Sequence, residues 1–517
     1  MATIRGNNAN NALNGTNLND YIDGLGGNDT LRGNGGNDTI QGGDGNDAAF
    51  GGDGNDIIRD AAGFIHDFHG GNGNDELTVR LTVPITEKDY AWKTSLYGDS
   101  GNDVITVTYN VPYDEYNDHI SNLIDGGVGN DIIYLRIADG RFGSVMDGYF
   151  SSTILGGDGD DQITCISSAF GGGYAIIDGG SGQDIINVDC QHINITGGIG
   201  NDEISTESSF STINGGLGDD YIYVRGDSYS FTDMGVEVEQ LVVGGDGKDV
   251  IFVDGQALGN YVGVAHATVF GDAGDDRIDV HLESGSWYGG NSLSSIDGGS
   301  GNDVVTANTF AGDGDWEGGQ GQAKNVVQGG LGDDFITANA IIEEISGTNE
   351  DGGPHIAQNF LYGGDGNDHL IARISFSSYR EGMIGHNYLD GGTGNDVLEA
   401  WSSRTNELYG GAGDDVLRVN GYGDSTLYGG AGNDRLYGDG GDTTFVLRRG
   451  EGRDVIYGYD SGYGEDHIAL GGGLTFGSLQ LVAQGGANTR ILAGGVEIAL
   501  VVGVTPDELS ADDFVLV

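Results

Sequence analysis

Aspartates set in glycine-rich turns are the residues of this 517-residue chain best suited to do chemistry. Residues 42–59 read GGDGNDAAF and then GGDGNDIIR, one nine-residue unit written twice. The glycines allow positive-φ backbone and leave carbonyl oxygens accessible, and the sixth position is an aspartate. Carbonyl and carboxylate oxygens are the ligands that Ca²⁺ selects, six to eight at about 2.3–2.6 Å. The unit therefore predicts calcium-binding turns.

The unit recurs along most of the chain, so the turns belong to a repeat architecture. The first five sixth-position aspartates are nine residues apart, and the later ones are 18 to 34 residues apart. We predict that these aspartates bind metal: Asp20, Asp29, Asp38, Asp47, Asp56, Asp75, Asp103, Asp131, Asp161, Asp184, Asp202, Asp220, Asp249, Asp276, Asp303, Asp334, Asp368, Asp396, Asp415 and Asp434.

The repeats resemble the RTX (repeats-in-toxin, hemolysin-type) calcium-binding nonapeptide G-G-x-G-x-D-x-U-x, in which U is apolar. The resemblance implies an all-β fold, a right-handed parallel β-roll or β-solenoid in which two nonapeptides make one coil. A spacing of 18 or 19 residues fits one such coil. Spacings near 27–30 indicate wider coils with an extra strand and turn. We expect one continuous calcium-binding edge, with the variable excursions on the opposite side.

The resemblance also implies a ligand set. In the family, calcium lies between turns of neighbouring coils. The earlier turn gives the carbonyls of positions two and four and its aspartate, and the next turn gives the carbonyls of positions one and three and its aspartate. The two best-matching sites would be Gly180, Gly182 and Asp184 with Gly197, Ile199 and Asp202, and Gly198, Gly200 and Asp202 with Gly215, Leu217 and Asp220. Two turns depart from the pattern, with Asn34 at position two of one and a degenerate Gly441-Asp442 in another.

The charge balance supports cation binding and excludes some partners. The chain has 80 Asp+Glu and 21 Lys+Arg, a formal net charge of −59. Such a charge repels itself in a compact fold, so we expect counterions. The number of repeated turns predicts on the order of fifteen or more Ca²⁺ ions, and without calcium we expect a disordered chain. Nucleic acid is not an expected partner, because it is itself an anion. No apolar run of about 18 residues is present, so we expect no membrane insertion.

The chain divides by pattern into two predicted domains. Residues 1–442 form the calcium-binding β-roll. Residues 443–517 have few such turns and resemble the capping and secretion module of RTX proteins exported by type I systems. The N-terminus has no apolar signal segment, and the absence of one is what export by a type I system implies. We therefore expect a type I exporter as a partner during secretion, and a location outside a bacterium, either free or on its surface.

The expected function is that of a secreted structural or cell-surface protein that folds on extracellular calcium and self-assembles into a layer, sheath or filament. An adhesin for glycans or matrix is the alternative, and a polysaccharide-active enzyme is a third. Aromatic residues in the wider coils either fill the core or form a face that contacts carbohydrate or protein: Tyr90, Trp92, Tyr113, Tyr116, Tyr149, Phe150, Trp287, Tyr288, Phe376, Tyr379 and Trp401.

Other residues gave weaker signals, and we predict no enzyme. Gly98-Asp99-Ser100-Gly101 resembles a serine-protease nucleophile segment, but Ser100 takes the variable third position of a repeat. His66 and His69 would form a zinc pair only on a helix, and their neighbours predict strand and turn. The lysines, Lys88, Lys93, Lys248 and Lys324, form no recognisable catalytic group.

Two cysteines complete the inventory. Cys165 and Cys190 lie four and six residues after their repeat aspartates, so we expect both to point inward, about two residues out of register. We expect buried free thiols, although a disulfide stays open as the alternative.

Overall fold

The computed structural model describes residues 1–82, 91–111, 119–139, 149–167, 173–230, 235–259, 262–286, 289–313, 320–344, 355–377, 383–402, 404–438, 440–459 and 464–517. The chain forms two compact units. Unit 1 comprises Met1–Gly226 and Gln240–Val250, and unit 2 comprises Asp227–Glu239 and Ile251–Val517.

Almost all regular structure is β-strand, and the described residues contain no α-helix. Three short 3₁₀ helices, Phe476–Ser478, Pro506–Glu508 and Ala511–Asp513, lie near the C-terminus. The strands are β1 Thr3–Asn7, β2 Ala12–Asn14, β3 Tyr21–Leu25, β4 Thr30–Gly35, β5 Thr39–Gln41, β6 Asp47–Asp53, β7 Ile57–Asp60, β8 Ile65–Asn72, β9 Glu76–Thr82, β10 Ala91–Ser100, β11 Val104–Val111, β12 His119–Val128, β13 Ile132–Asp139, β14 Tyr149–Asp158, β15 Gln162–Ser167, β16 Tyr174–Ser181, β17 Ile185–Asp189, β18 His192–Ile199, β19 Glu203–Glu207, β20 Phe210–Leu217, β21 Tyr221–Ser230, β22 Val236–Asp246, β23 Val250–Gly259, β24 Gly263–Ala273, β25 Arg277–Ser286, β26 Gly290–Ser300, β27 Val304–Asp313, β28 Gln322–Leu331, β29 Phe335–Glu344, β30 Ile356–Asp365, β31 His369–Phe376, β32 Ile384–Thr393, β33 Val397–Trp401, β34 Thr405–Ala412, β35 Val416–Asn420, β36 Ser425–Ala431, β37 Arg435–Tyr437, β38 Thr443–Leu447, β39 Asp454–Tyr457, β40 His467–Leu470, β41 Leu479–Ala483, β42 Asn488–Ala493, β43 Val496–Val502 and β44 Phe514–Leu516.

Through most of each unit, a strand pairs in parallel with the strand two places along the chain. In unit 1, β16 pairs with β18 and β18 with β20, which aligns Ile177, Ile195 and Ile213. In unit 2, β28 pairs with β30 and β30 with β32. Side chains alternate inward and outward along each strand, and the inward residues are mainly Ile, Leu, Val and Ala. The predicted all-β parallel β-roll is confirmed.

The wider coils gain length within two strands. Between Asp103 and Asp131 the coil consists of β11 and β12, which have 8 and 10 residues. The narrow coil between Asp184 and Asp202 consists of β17 and β18, with 5 and 8 residues. The extra strand predicted for the wider coils is absent from the residues described there. The two strands of the wider coil are longer, and the rest of its added length lies in the connection at 112–118. The connections at 112–118 and 140–148 lie outside the described residues.

The parallel coils continue beyond residue 442. Strand β38 pairs with β36, and β39 pairs with β37, both in parallel. Antiparallel pairing begins later, where β41, β42 and β43 form a meander. The domain boundary at 442/443 and the secretion role of residues 443–517 stay predictions. No helix among the described residues is long and apolar enough to cross a membrane.

Candidate metal sites between the turns

The repeat aspartates of neighbouring coils are joined by hydrogen bonds. In each pair the backbone N–H of one aspartate donates to Oδ1 of the aspartate in the next coil, for example from Asp184 to Asp202 at 2.8 Å. Unit 1 has a longer row of such pairs running Asp20, Asp38, Asp56, Asp75, Asp103, Asp131, Asp161, Asp184, Asp202, Asp220 and Asp249. Its shorter row joins Asp29 to Asp47. The row of unit 2 runs Asp276, Asp303, Asp334, Asp368, Asp396, Asp415, Asp434 and Asp454.

The second carboxylate oxygen has a different environment. In these rows Oδ2 is buried and accepts no hydrogen bond from the described residues at 17 repeat positions, namely Asp29, Asp38, Asp47, Asp56, Asp75, Asp103, Asp131, Asp161, Asp184, Asp202, Asp220, Asp303, Asp334, Asp368, Asp396, Asp415 and Asp434. A buried charged oxygen without a partner is costly. A row of them therefore requires protons or cations.

Backbone carbonyls point at the same gaps. The carbonyl oxygens of Gly180 and Gly182 point toward the next coil. They lie so close to Gly198 and Gly200, respectively, that a side chain on either glycine would collide with them. The carbonyl of Ile199 points back and accepts the N–H of Gly182 at 2.8 Å.

The remaining predicted groups close the same gap. The carbonyl of Gly197 points back and would collide with a Cβ on Gly179, and that Cβ would lie 2.5 Å from Asp184 Oδ2. Asp202 contributes its Oδ1 from the far side. The groups predicted for this site therefore belong to two turns that are hydrogen-bonded neighbours.

The next gap repeats the arrangement with Asp202 shared. Asp202 Oδ2 lies 2.6 Å from the position of a Cβ on Gly197, beside the carbonyl oxygen of Gly215. Gly200 donates its N–H to the Leu217 carbonyl at 2.7 Å. Asp202 thus presents one oxygen to each of two gaps.

Burial disfavours ionisation of these carboxylates and raises their pKa. The largest cause at each is desolvation, with repulsion from a neighbouring aspartate adding to it at most of them. The pKa is raised to about 6 at Asp38, Asp56, Asp75, Asp131, Asp184, Asp303 and Asp368, to about 7 at Asp161, Asp220, Asp334, Asp396 and Asp415, and to about 8 at Asp103 and Asp454. A bound divalent cation offsets this cost because it stabilises the charged form.

Position two has left-handed backbone in most turns, although Thr16, at position two of the Asp20 turn, is an exception. Gly198 has φ 122°. Four non-glycine residues at this position, Leu25, Asn34, Asp99 and Asp272, have φ between 71° and 76°. The turn with Asn34 thus keeps the repeat conformation. The fold imposes a left-handed conformation that L side chains rarely adopt, so these four positions are strained.

The turn residues that sequence reasoning missed carry recognisable signals. Asp454 extends the row of unit 2, since its Oδ1 accepts the Asp434 N–H at 3.3 Å. Its turn keeps only Gly450 and Gly452, at positions two and four. In the degenerate copy, Asp442 stands at position five and accepts the Glu465 N–H at 2.9 Å.

The structure also places the residues that were weaker candidates for catalysis, zinc binding or a disulfide. Ser100 gives its backbone carbonyl to the Gly73 N–H at 2.7 Å, as a third-position residue does. His66 points inward and His69 outward on β8, so they form no pair. Cys165 and Cys190 are buried free thiols with Sγ atoms 3.6 Å apart, and Cys165 is opposite Val188, as expected.

The aromatic residues of the wider coils divide between the two interpretations. Trp92 and Phe150 are buried, and Phe376 packs against the core. Trp401 is 44% exposed. The remaining expectations lie outside the described residues, namely Lys88, Tyr90, Tyr113, Tyr116, Trp287, Tyr288 and Tyr379, as does the side chain of Tyr149.

Side chains alone do not build these sites. In the part of the chain that the structure describes, no group of three or more His, Cys, Asp or Glu side chains could hold a metal ion. Each gap combines carboxylates with backbone carbonyls, which is the donor set that suits Ca²⁺.

The comparison with known families agrees with this geometry. The family described as the RTX calcium-binding nonapeptide repeat matches ten segments, residues 5–40, 23–58, 121–136, 144–164, 196–228, 288–313, 321–340, 358–373, 381–417 and 409–445. No curated protein matches the chain. The chain belongs to the RTX calcium-binding repeat proteins, and its repeats are calcium-binding repeats.

Proposed function

We propose that this protein is a secreted bacterial structural protein whose two units fold when calcium fills the gaps between their turns. The observation that carries the proposal is the set of buried Oδ2 oxygens that accept no hydrogen bond from the described residues. At all of these positions except Asp47 and Asp434, Oδ2 lies beside a backbone carbonyl oxygen of the next coil. One ion in each gap gives the expected number, on the order of fifteen or more.

The described geometry supports the proposed ligand sets. The gap between the turns of Asp184 and Asp202 would hold an ion through the carbonyls of Gly180, Gly182, Gly197 and Ile199. The following gap would use Asp202 and Asp220 with four carbonyls at the equivalent positions. The ion would neutralise the buried carboxylates, and the chain would supply the oxygen ligands around it.

Export before folding is consistent with the energetics. Extracellular calcium sites have dissociation constants of roughly 10⁻⁴–10⁻³ M. A tenfold excess of calcium adds about 1.4 kcal/mol per independent site, whereas submicromolar calcium adds almost nothing. The chain would therefore stay unfolded in the cytosol, pass a type I exporter and fold outside.

Calcium-dependent folding is tested with circular dichroism and thiol labelling in calcium and in chelator. We expect a β-rich spectrum and unreactive Cys165 and Cys190 with calcium, because both thiols are buried in the folded coils. In chelator we expect loss of that spectrum and rapid labelling of two thiols. A β-rich spectrum and protected thiols in chelator would contradict the proposal.

Exposed apolar pairs support self-assembly at a bacterial surface. In unit 1, Val104 and Ile132 are paired neighbours, 39% and 46% exposed. In unit 2, Val304 and Phe335 are paired neighbours, 39% and 40% exposed. Apolar residues repeated on one outer face are suited to contact with other copies. Electron microscopy in millimolar calcium tests this, since ordered sheets or fibres support a coat and dispersed particles contradict it.

A row of tyrosines in unit 2 favours the adhesin as the second candidate. Tyr362, Tyr388, Tyr409 and Tyr428 are half-buried on outer strand faces, with successive ring centroids 5.6, 5.3 and 6.3 Å apart. Aromatic rings with hydroxyl groups suit stacking on sugars. Binding to a glycan array that is lost in Tyr388→Ala, with unchanged circular dichroism, would support this role.

A further inference from the structure

The shorter row of unit 1 does not simply stop after Asp47. In the register of β6 and β8, Asp47 is opposite His66, so His66 takes the place of a sixth-position aspartate. Gly63 has φ 100° and lies on the carbonyl of Gly45, as fourth-position glycines do elsewhere. The turn at residues 60–66 therefore keeps the fourth-position contact of the repeat but has one extra residue before its sixth position, since Phe64 and Ile65 both donate their N–H to Asn46. It also changes the donor groups.

Asp60 puts a carboxylate where other turns have a carbonyl. In the preceding turn, a Cβ on Gly24 would meet the Gly42 carbonyl and Asp29 Oδ2. One coil later, a Cβ on Gly42 would meet Asp60 Oδ2 and would lie 2.8 Å from Asp47 Oδ2.

The carboxylate of Asp60 is held in this orientation. Its Oδ1 accepts the N–H groups of Ala61 and Ala62 at 2.7 and 3.2 Å. Its Oδ2 is buried and accepts no hydrogen bond of normal geometry from the described residues. One oxygen is therefore fixed, and the other is directed at the gap.

His66 brings an unsatisfied imidazole to the same place. Its side chain is 0% exposed, and neither ring nitrogen has a hydrogen-bond partner among the residues described. Its Nε2 lies 3.9 Å from Asp60 Oδ2, which is too long for a hydrogen bond and short enough for two ligands of one ion. Its Cε1 would lie 3.3 Å from a Cβ on Gly63, beside the Gly45 carbonyl.

We propose that Asp60 and His66, with the Gly45 carbonyl beside them, bind a divalent transition-metal ion such as Zn²⁺ at the end of the shorter row. Calcium takes oxygen ligands, whereas zinc-like ions accept imidazole and carboxylate together. The nearby Asp47 carboxylate adds negative charge. A groove of about 720 Å³ is lined in part by Asp60, Ala61 and Ala62.

The test uses the full chain in saturating calcium, with Co²⁺ as a spectroscopic probe and Zn²⁺ as competitor. We expect one Co²⁺ per chain, visible d–d absorption, and displacement by Zn²⁺. His66→Gln should weaken Co²⁺ binding at least about tenfold. His69→Gln is the matched control, because His69 lies on the same strand but faces outward beside Asp67 and Asp99.

Several results decide the proposal. Absence of stoichiometric Co²⁺ binding by the unmodified protein in calcium would overturn it, even if His66→Gln failed to fold. Loss of the signal in His69→Gln alone would assign the metal to the outer face and would also overturn it. His66→Asp restores an ordinary repeat aspartate, so we expect this variant to lose the Co²⁺ spectrum and gain one Ca²⁺. The calcium-dependent folding of the repeats is measured separately, so failure here leaves the proposed function intact.

Discussion

At the scale of the residue, each repeat aspartate divides its two oxygens between two tasks. Asp202 Oδ1 accepts the Asp184 N–H, and its Oδ2 is turned toward the following gap. The first contact fixes the spacing of the coils, while the second leaves a charge that the described side chains do not neutralise. In the proposed ligand sets, this arrangement would make one aspartate part of two neighbouring sites.

Removing the charge of Asp202 while keeping its shape should expose that double role. In Asp202→Asn an amide oxygen can still accept the Asp184 N–H, but two sites lose an anionic ligand. We expect about 3 kcal/mol lower stability in calcium at tenfold excess, about 1.4 kcal/mol for each of the two sites. Urea unfolding at fixed free calcium measures the difference.

The control for this substitution is Glu203→Gln. It removes the same charge one residue later, at the exposed start of β19. A stability change that is equal in the two variants would show that Asp202 acts only through the net charge of the protein.

At the scale of the element, side-chain ladders run along the coils of each unit. Position five carries one, in which a backbone N–H donates to the Asn or Asp side chain of the preceding coil, as from Asn102 to Asn74 at 3.0 Å. This ladder runs opposite to that of the aspartates. It explains why Asn-Asp pairs recur in the repeats although the family pattern leaves position five open.

Unit 2 has a second ladder inside its core. Asn359 is fully buried, accepts from Asn325 at 2.8 Å and donates to Asn387 Oδ1 at 2.9 Å. It also donates to the carbonyl of Arg373 at 2.9 Å. Asn406 extends the ladder, because it accepts from Asn387 at 3.0 Å. The buried amides therefore satisfy one another along the stack.

Breaking this ladder should be expensive. Asn359→Leu leaves buried polar partners on Asn325, Asn387 and Arg373, each worth about 1–3 kcal/mol when unsatisfied. We expect at least about 3 kcal/mol loss of stability in calcium, measured by urea unfolding. Asn291→Leu, at a half-buried outward position on β26, is the matched control and should change stability by less than about 1 kcal/mol. A small effect of Asn359→Leu would show that the stack tolerates a gap.

At the scale of the whole molecule, the fold buries many carboxylates, and their negative charges must be neutralised by cations or by protons. Its net charge is −59, and burial raises the pKa of its repeat carboxylates in the folded chain, to about 6 at Asp38 and to about 8 at Asp103 and Asp454. Their ordinary value is 3.8. The folded state therefore binds more protons than the unfolded state between about pH 4 and 8.

Acid should partly replace calcium. Because each pKa is raised on folding, the associated stability is present below pH 4 and is lost as pH rises through 6 to 8. In chelator we expect β-structure to increase as pH falls from 8 to 5. In calcium we expect the opposite trend, since protons compete with the ions. Circular dichroism across this pH range, in chelator and in calcium, checks both expectations. An increase in β-structure with rising pH in chelator would contradict them.

The sequence by itself determined the repeat, the fold class and the turn edges. Glycines at fixed offsets permit one backbone shape, and aspartates such as Asp184 and Asp202 in that frame mark the predicted metal-binding positions. These are local properties, because a nonapeptide encodes its own turn. Because side chains alternate between the two faces of a strand, the offset from the repeat aspartate also predicted which side chains point inward, as the buried Cys165 and Cys190 show.

Only the tertiary structure decided which residues meet across coils. The register of β6 and β8 places His66 opposite Asp47, and a coil stack brings Asn359 between Asn325 and Asn387. Irregular spacings hide these neighbours, because residues 28 to 34 apart in the chain become adjacent only when the coils are wound. The groups predicted to bind metal are encoded within each turn. The neighbour of a core side chain in the next coil, by contrast, depends on the length of the coil that separates the two residues.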